Sequence, residues 1–154
     1  MPTSVTSPYS VVYAKIKAII ETEFTDLGVT VESDKLHGSL GWKGIRVAVY
    51  PDMEAPQPGK MNNQITAAVV QFYGKFTKEI DPEQAVDPQI VTEYAERFRR
   101  AFYVAERADA GTKEVWFMQV ISVTYPDDPT GNKTRFEAIV RAYGQNQSMI
   151  EVGP

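Results

Sequence analysis

Residues 125–136, YPDDPTGNKTRF, gather side chains that could do chemistry. Gly131-Asn132-Lys133-Thr134 has the flavour of a phosphate-binding loop. Asn132-Lys133-Thr134 fits the N-glycosylation pattern, and Asp127, Asp128 and Asn132 carry oxygens of the kind that ligate calcium. Each chemistry demands more than this. A phosphate loop needs G-x-x-x-x-G-K-[ST] between a strand and a helix, so that backbone amides and a lysine converge on the phosphates. Here Asn follows Gly131, no glycine stands five positions upstream, and a strand pattern follows. A calcium loop needs donors in the alternation D-x-[DN]-x-[DN]-G with a distal glutamate, and Asp127-Asp128-Pro129 breaks it. A turn accounts for every residue: Pro126 and Pro129 stiffen it, Asp128 bonds nearby backbone, and Gly131 supplies positive φ.

The other candidates are thinner. His37, the single histidine, lies beside Asp34 and Ser39, but nothing in the sequence makes these three converge as a nucleophilic triad. One histidine cannot build a histidine-based metal site, and the absence of cysteine excludes disulfides, thiol nucleophiles and thiolate ligands. Asp127/Asp128 and Glu21/Glu23 are neighbouring acids. Acid–base catalysis needs two carboxylates in one cleft with their pKa values pushed apart, and these lie on a turn and a helix face. No catalytic, cofactor-binding or metal-binding residue is therefore expected, and the chain does not read as an enzyme.

A net charge of -4 makes general nucleic-acid binding a poor fit, because phosphate contact needs clustered Lys and Arg. Arg97, Arg99, Arg100 and Arg107 are the only dense basic candidates, and the helix that carries them also supplies Glu93 and Glu96 four residues before Arg97 and Arg100. Such i,i+4 pairs make a balanced, solvated face. The N-terminal residues have no basic and apolar signal pattern, so the sequon at Asn132 is expected to stay unmodified. No apolar run approaches the roughly 18 residues of a membrane span.

The elements that position these residues follow from periodicity. The 154 residues favour one domain, with its core in about 9–144. Ser7-Pro8 is a helix start, and Val12, Ile16, Ile19, Ile20 and Phe24 form its apolar stripe down to Leu27-Gly28. Residues 29–33 form a weak strand, and 37–44, with three glycines in eight residues, a loop. In the next strand Ile45, Val47 and Val49 share a face. Residues 51–63, PDMEAPQPGKMNN, break the pattern and are expected to be a long loop, with Met53, Pro56, Pro58 and Met61 as exposed apolar groups suited to protein contact. Residues 64–76 are apolar on both faces and read as a central strand, with a bulge at Gly74. Asp87-Pro88 opens a second helix whose buried stripe is Ile90, Tyr94, Phe98, Ala101, Phe102 and Ala105. Residues 113–125 and 133–143 make an antiparallel hairpin. In its first strand Val115, Phe117, Ile121 and Val123 share one face and Trp116, Met118 and Val120 the other. In its second, Phe136, Ala138, Val140 and Ala142 point one way. The order α-(β)-β-β-α-β-β predicts an α+β fold, a mainly antiparallel sheet with two amphipathic helices packed on it.

One resemblance adds function. The strand ending VAVYP, the proline-rich segment, the strand VVQFYGKF, the helix with YAERFRRAF and the hairpin VWFMQVISVTYPDDPTGNKTRFEAIVRAYG follow one another in an order and texture similar to the tail terminator (tail completion) proteins of long-tailed bacteriophages, especially those infecting actinobacteria. The resemblance spans about 9–144. It implies a structural virion protein without cofactor, whose copies close into a hexameric ring. The ring caps the tail tube, ends its polymerisation and offers a head-joining surface. Implied partners are further copies of the chain, the major tail tube protein and the head–tail connector protein. Genomic DNA passes through the lumen without specific binding, and no membrane is involved. The implied location is the head-proximal end of the virion tail, reached from the host cytoplasm. Two contact regions are expected: Met53, Pro56, Pro58 and Met61 in one segment, Asp127, Asp128 and Lys133 at the hairpin tip. Two alternatives remain open at this point: a connector or stopper protein of the neck, and a small α+β ligand-binding module with Tyr73, Tyr94 and Trp116 around a cavity.

Overall fold

Ser7 has extended backbone, and its hydroxyl accepts a hydrogen bond from the Ser10 amide at 3.2 Å, while Pro8 takes the first helical position, where its missing N–H costs nothing. A helix must start there. The computed structural model describes residues 7–29, 31–33, 45–59, 63–73, 88–108, 117–126 and 135–145. Helix α1 runs Pro8–Glu23 and buries Val12, Ile16 and Ile20, with Phe24 continuing the stripe from the C-cap and Ile19 half-buried. It stops earlier than the apolar spacing predicts. A 3-10 turn, Thr25–Leu27, follows, and the Thr25 hydroxyl donates to the Glu21 and Thr22 carbonyls at 2.7 and 2.9 Å, satisfying groups a helix end leaves bare. Gly28 then reverses the chain at φ 63°, in the left-handed region where a side chain is strained.

Among the described residues five strands form one sheet: β1 (Val31–Glu32), β2 (Arg46–Pro56), β3 (Asn63–Tyr73), β4 (Phe117–Thr124) and β5 (Arg135–Gln145), with α2 (Pro88–Ala108) between β3 and β4 in the chain. Their spatial order is β1-β2-β3-β5-β4; β1 and β2 pair in parallel and the other described pairs are antiparallel. The α+β class and element order expected from the sequence are those observed. β3 is central, between β2 and β5, as its two apolar faces require.

The helices share one face of the sheet. Beneath them lie Val47 and Val49 of β2, Val70 and Phe72 of β3, and Phe136, Ala138 and Val140 of β5, all fully buried. A run of rings crosses this core: Phe24 to Phe72 at 4.9 Å between centroids, Phe72 stacked on Phe136 at 4.8 Å, and Phe136 edge-on to Phe98 of α2 at 5.6 Å. Each such pair adds about 0.5–1.5 kcal/mol beyond its burial. β5 alternates as expected, with Phe136, Ala138, Val140 and Ala142 inward.

Three expectations are corrected. First, residues 51–56 are not loop. β2 continues to Pro56 and stays paired with β3, because a bulge between Pro51 and Met53 absorbs Asp52. Pro51 opposes Ala68 and Pro56 opposes Gln64, so the bulge sets both prolines in one phase of the ladder. Proline is tolerated in a strand where its missing N–H falls on the outer edge. Second, α2 is rotated from the expected stripe. Val91, Ala95, Phe98 and Phe102 sit deepest, and Ile90 and Tyr94 are half-buried against this core. Ala101 is buried as expected; the Ala105 side chain lies outside the described residues. Third, β4 carries a bulge between Val120 and Ser122, which turns Val123 to the core with Met118 and Val120. Phe117 and Ile121 are left exposed. The expected bulge at Gly74, and residues 113–116, fall outside the described residues.

Candidate functional site

Two exposed stretches at the edges of the sheet stand out on the described surface. The distal half of the β2–β3 hairpin forms the first. From Pro51 to Glu54 every β2 residue is exposed, and Met53 shows 39% of its surface. β1 covers only Val47 and Ala48, so beyond them β2 has no strand on its outer side among the described residues. The hairpin closes where the Gln57 amide donates to the Asn63 carbonyl at 2.9 Å, with Pro58 and Gly59 (φ 74°) in the turn. Asp52 and Glu54 flank Met53 and make no hydrogen bond or ion pair with a described residue. The arm is therefore apolar in the middle and acidic on both sides.

The opposite edge of the sheet is unlike it. Among the described residues β4 has a neighbour only in β5. Phe117 and Ile121 are 36% and 39% exposed, and Tyr103 of α2 is 58% exposed. Between α2 and β4 runs a groove of about 380 Å³, lined by Glu96, Arg99, Arg100 and Tyr103 on the helix and by Met118 and Val120 on the strand. Arg99 donates to Glu96 at 2.9 Å; Arg100 is exposed and unpaired among the described residues. This edge is apolar and carries two arginines against one acid, Glu96.

The second face of the sheet, away from the helices, is only partly polar. Ala48, Ala67 and Tyr73 are buried there, and the Gln71 amide donates to Glu137 at 3.0 Å across the β3–β5 pair. Arg141, opposite Ala67 and Gln119, has a buried Nε without an acceptor.

Arg97 departs from the balanced face expected of it. Its guanidinium reaches α1 instead: Nε to Glu23 Oε1 at 2.8 Å, Nη2 to the Glu23 carbonyl at 2.6 Å, and a two-pronged contact with Asp26 at 2.6 and 3.2 Å. Its charge also lies 4.7 Å above the Phe24 ring centroid. The hydrogen bond from Arg97 holds the Asp26 carboxyl below the usual carboxylate range, and Asp26 and then Glu23 push the Arg97 guanidinium further up. The expected pairs Glu93–Arg97 and Glu96–Arg100 do not form among the described residues; Arg97 joins the helices and Arg99 takes Glu96. Beside it, an open groove of about 930 Å³ between the helices has Ala18, Ile19 and Ala101 on its floor and charges of both signs on its rim.

Of the residues expected to make protein contacts, Met53 and Pro56 stand on the exposed arm of β2 and Pro58 in its turn. Met61, Asp127, Asp128 and Lys133 lie outside the described residues. So do His37, Asp34 and Ser39. The cavity of a ligand-binding module is not assembled from the expected side chains. Tyr73 lies on the second face of the sheet, whereas Tyr94 packs between Phe24 and Phe72 on the helix side, with centroids at 6.3 and 6.2 Å. Trp116 is outside the described residues. Among those residues no group of three His, Cys, Asp or Glu side chains could hold a metal ion, and no helix is long and apolar enough to cross a membrane. Sequence reasoning missed Phe117 and Ile121 as surface groups, since the edge position of β4 and its bulge decide what they face, and it missed Tyr103, which lies on the exposed side of α2. No protein-family model matches the chain, and a comparison with curated proteins finds no match.

Proposed function

We propose that this chain is a structural subunit that assembles head to tail into a closed ring, acting as a terminator of a phage tail tube. One observation carries the reading: the sheet has two exposed edges that differ in chemistry, an acidic arm on β2 and a basic, aromatic edge at β4. Unlike patches on opposite edges favour heterologous contact, and heterologous contacts close into rings when the rotation permits. The order and texture of the elements, similar to tail terminators, supply the rest: six copies, a cap on the tube end, a surface for head joining, and DNA passing through the lumen. A mildly acidic chain suits that passage, since clustered Lys and Arg would hold the phosphates.

The test is negative-stain imaging and native mass spectrometry of the purified chain, alone and with tail tubes of a long-tailed actinobacteriophage. The expected result is a hexameric ring, alone or seated on one end of the tube only. Attachment to the head-side connector and not to tubes would move the chain to the neck. A chain that stays monomeric and leaves both structures bare ends the reading.

A further inference from the structure

The two edges match each other residue by residue, and we infer that the contact between neighbouring copies is the β2 arm of one chain seated on the α2–β4 edge of the next. This rests on the ring reading above and names the surfaces that would make it.

The order of groups across the sheet carries the inference. Register places Glu54 opposite Thr66, on the side of the sheet that carries the helices, and Met53 opposite Ala67, on the second face. At the far edge the same order recurs. Arg99 and Arg100 lie on the helix side, and Phe117, opposite Tyr143, on the second face. A neighbour placed head to tail with its helix layer level with the first brings Glu54 toward Arg100 and Met53 toward Phe117. Acid meets base and apolar meets apolar in a single placement. A two-fold arrangement does neither, since it sets acidic arm on acidic arm.

The prolines define the kind of contact. Pro51 and Pro56 leave the outer edge of β2 short of N–H donors, which blunts it against strand addition. The arm therefore docks through its side chains in the α2–β4 groove and does not extend the β-ladder. Exposed ion pairs are individually weak, so the acids and arginines set register and direction while Met53, Phe117 and Tyr103 exclude water.

Charge reversal tests this with a built-in rescue. One variant carries Asp52→Lys and Glu54→Lys; the other carries Arg99→Glu and Arg100→Glu. Each alone sets like charge against like and is expected to weaken assembly about tenfold or more. An equimolar mixture is expected to recover rings of alternating chains, because every contact in it again joins acid to base. Assembly is read by sedimentation and imaging, with tail tubes present if the wild type closes only on them. A second measurement does not depend on those variants folding. The chain has no cysteine, so Met53→Cys on one chain and Phe117→Cys on another can cross-link only to each other or to themselves. Mixed disulfide dimers are expected, far in excess of those from a Met53→Cys and Tyr13→Cys pair. Wild-type rings with both reversed variants assembling equally well, or cross-links no more frequent than the control, overturn this contact and leave the ring reading standing. A wild type that never assembles removes both.

Discussion

Single side chains in this protein act through what surrounds them, and Tyr9 is the clearest case. Its hydroxyl is buried without a hydrogen-bond partner among the described residues, and burial, then the nearby Tyr13, pushes its pKa up to about 12. The folded state thus holds the phenol proton more tightly than the unfolded chain does. That contribution is complete below the ordinary tyrosine pKa of about 10 and is lost as pH rises from there towards the folded value. Tyr9→Phe removes the unsatisfied group and is expected to stabilise the fold by about 1 kcal/mol at neutral pH. It should also flatten the alkaline decline; urea unfolding at pH 7 and pH 11 checks both.

Arg97 works in the opposite sense, with every arm of its guanidinium used. Asp26 has its folded pKa below its unfolded value. Its stabilising effect is therefore present above the ordinary carboxylate range and disappears as pH falls through the lowered pKa. Asp26→Asn is expected to remove that part of the acid dependence, seen as a shallower loss of stability below about pH 4. Arg97→Ala is expected to cost about 1–2 kcal/mol, since it loses the fork, the cation over Phe24 and the packed stem together. Arg97→Lys should restore little, because one ammonium cannot serve Glu23, its carbonyl and Asp26 at once. Denaturant midpoints rank the three proteins.

At the scale of elements, the two bulges decide which side chains meet water. A side-chain period of two means that one inserted residue moves everything beyond it to the other face. In β4 the insertion at Ile121 sends Val123 inward. Deleting Ile121 leaves Val120, Ser122 and Val123 opposite Val140, Ile139 and Ala138, so the strand becomes regular with Val123 still inward, and stability should change by less than about 1 kcal/mol. Urea unfolding measures it, and a larger fall in the midpoint would mean that the bulge itself has a part in packing. In β2 the insertion of Asp52 keeps both prolines in phase and sets Met53 on the second face and Glu54 on the helix side. The helix boundaries are more local. Ser7 and Pro8 set the start of α1, and Gly28 the reversal after the 3-10 turn, all within a few residues of the chain.

At the scale of the molecule, α1 and α2 cover one face of the sheet, and its two edges carry opposite charge. The charged groups of the edges lie outside the core. Reversing Asp52 and Glu54, which are exposed and make no hydrogen bond or ion pair with a described residue, should leave the melting temperature of the chain unchanged while assembly is lost. Variants such as Phe72→Ala, in the middle of the ring stack, should lower it. That separation makes assembly testable without confusing it with folding.

The α+β class, the element order, the cap at Ser7, the inward set of β5 and the central place of β3 were determined by the sequence alone, because each depends on spacing along a short piece of chain. The site was legible only in part. Met53, Pro56 and Pro58 could be picked out as exposed, but not as members of a paired strand, since a bulge has no fixed signal and proline usually ends a ladder. The destination of Arg97, the outward turn of Phe117 and Ile121, and the match between the β2 arm and the α2–β4 edge were decided by tertiary structure. Each depends on register between strands far apart in sequence, or on which element lies at an edge. Those are properties of the assembled sheet, and no local run of residues encodes them.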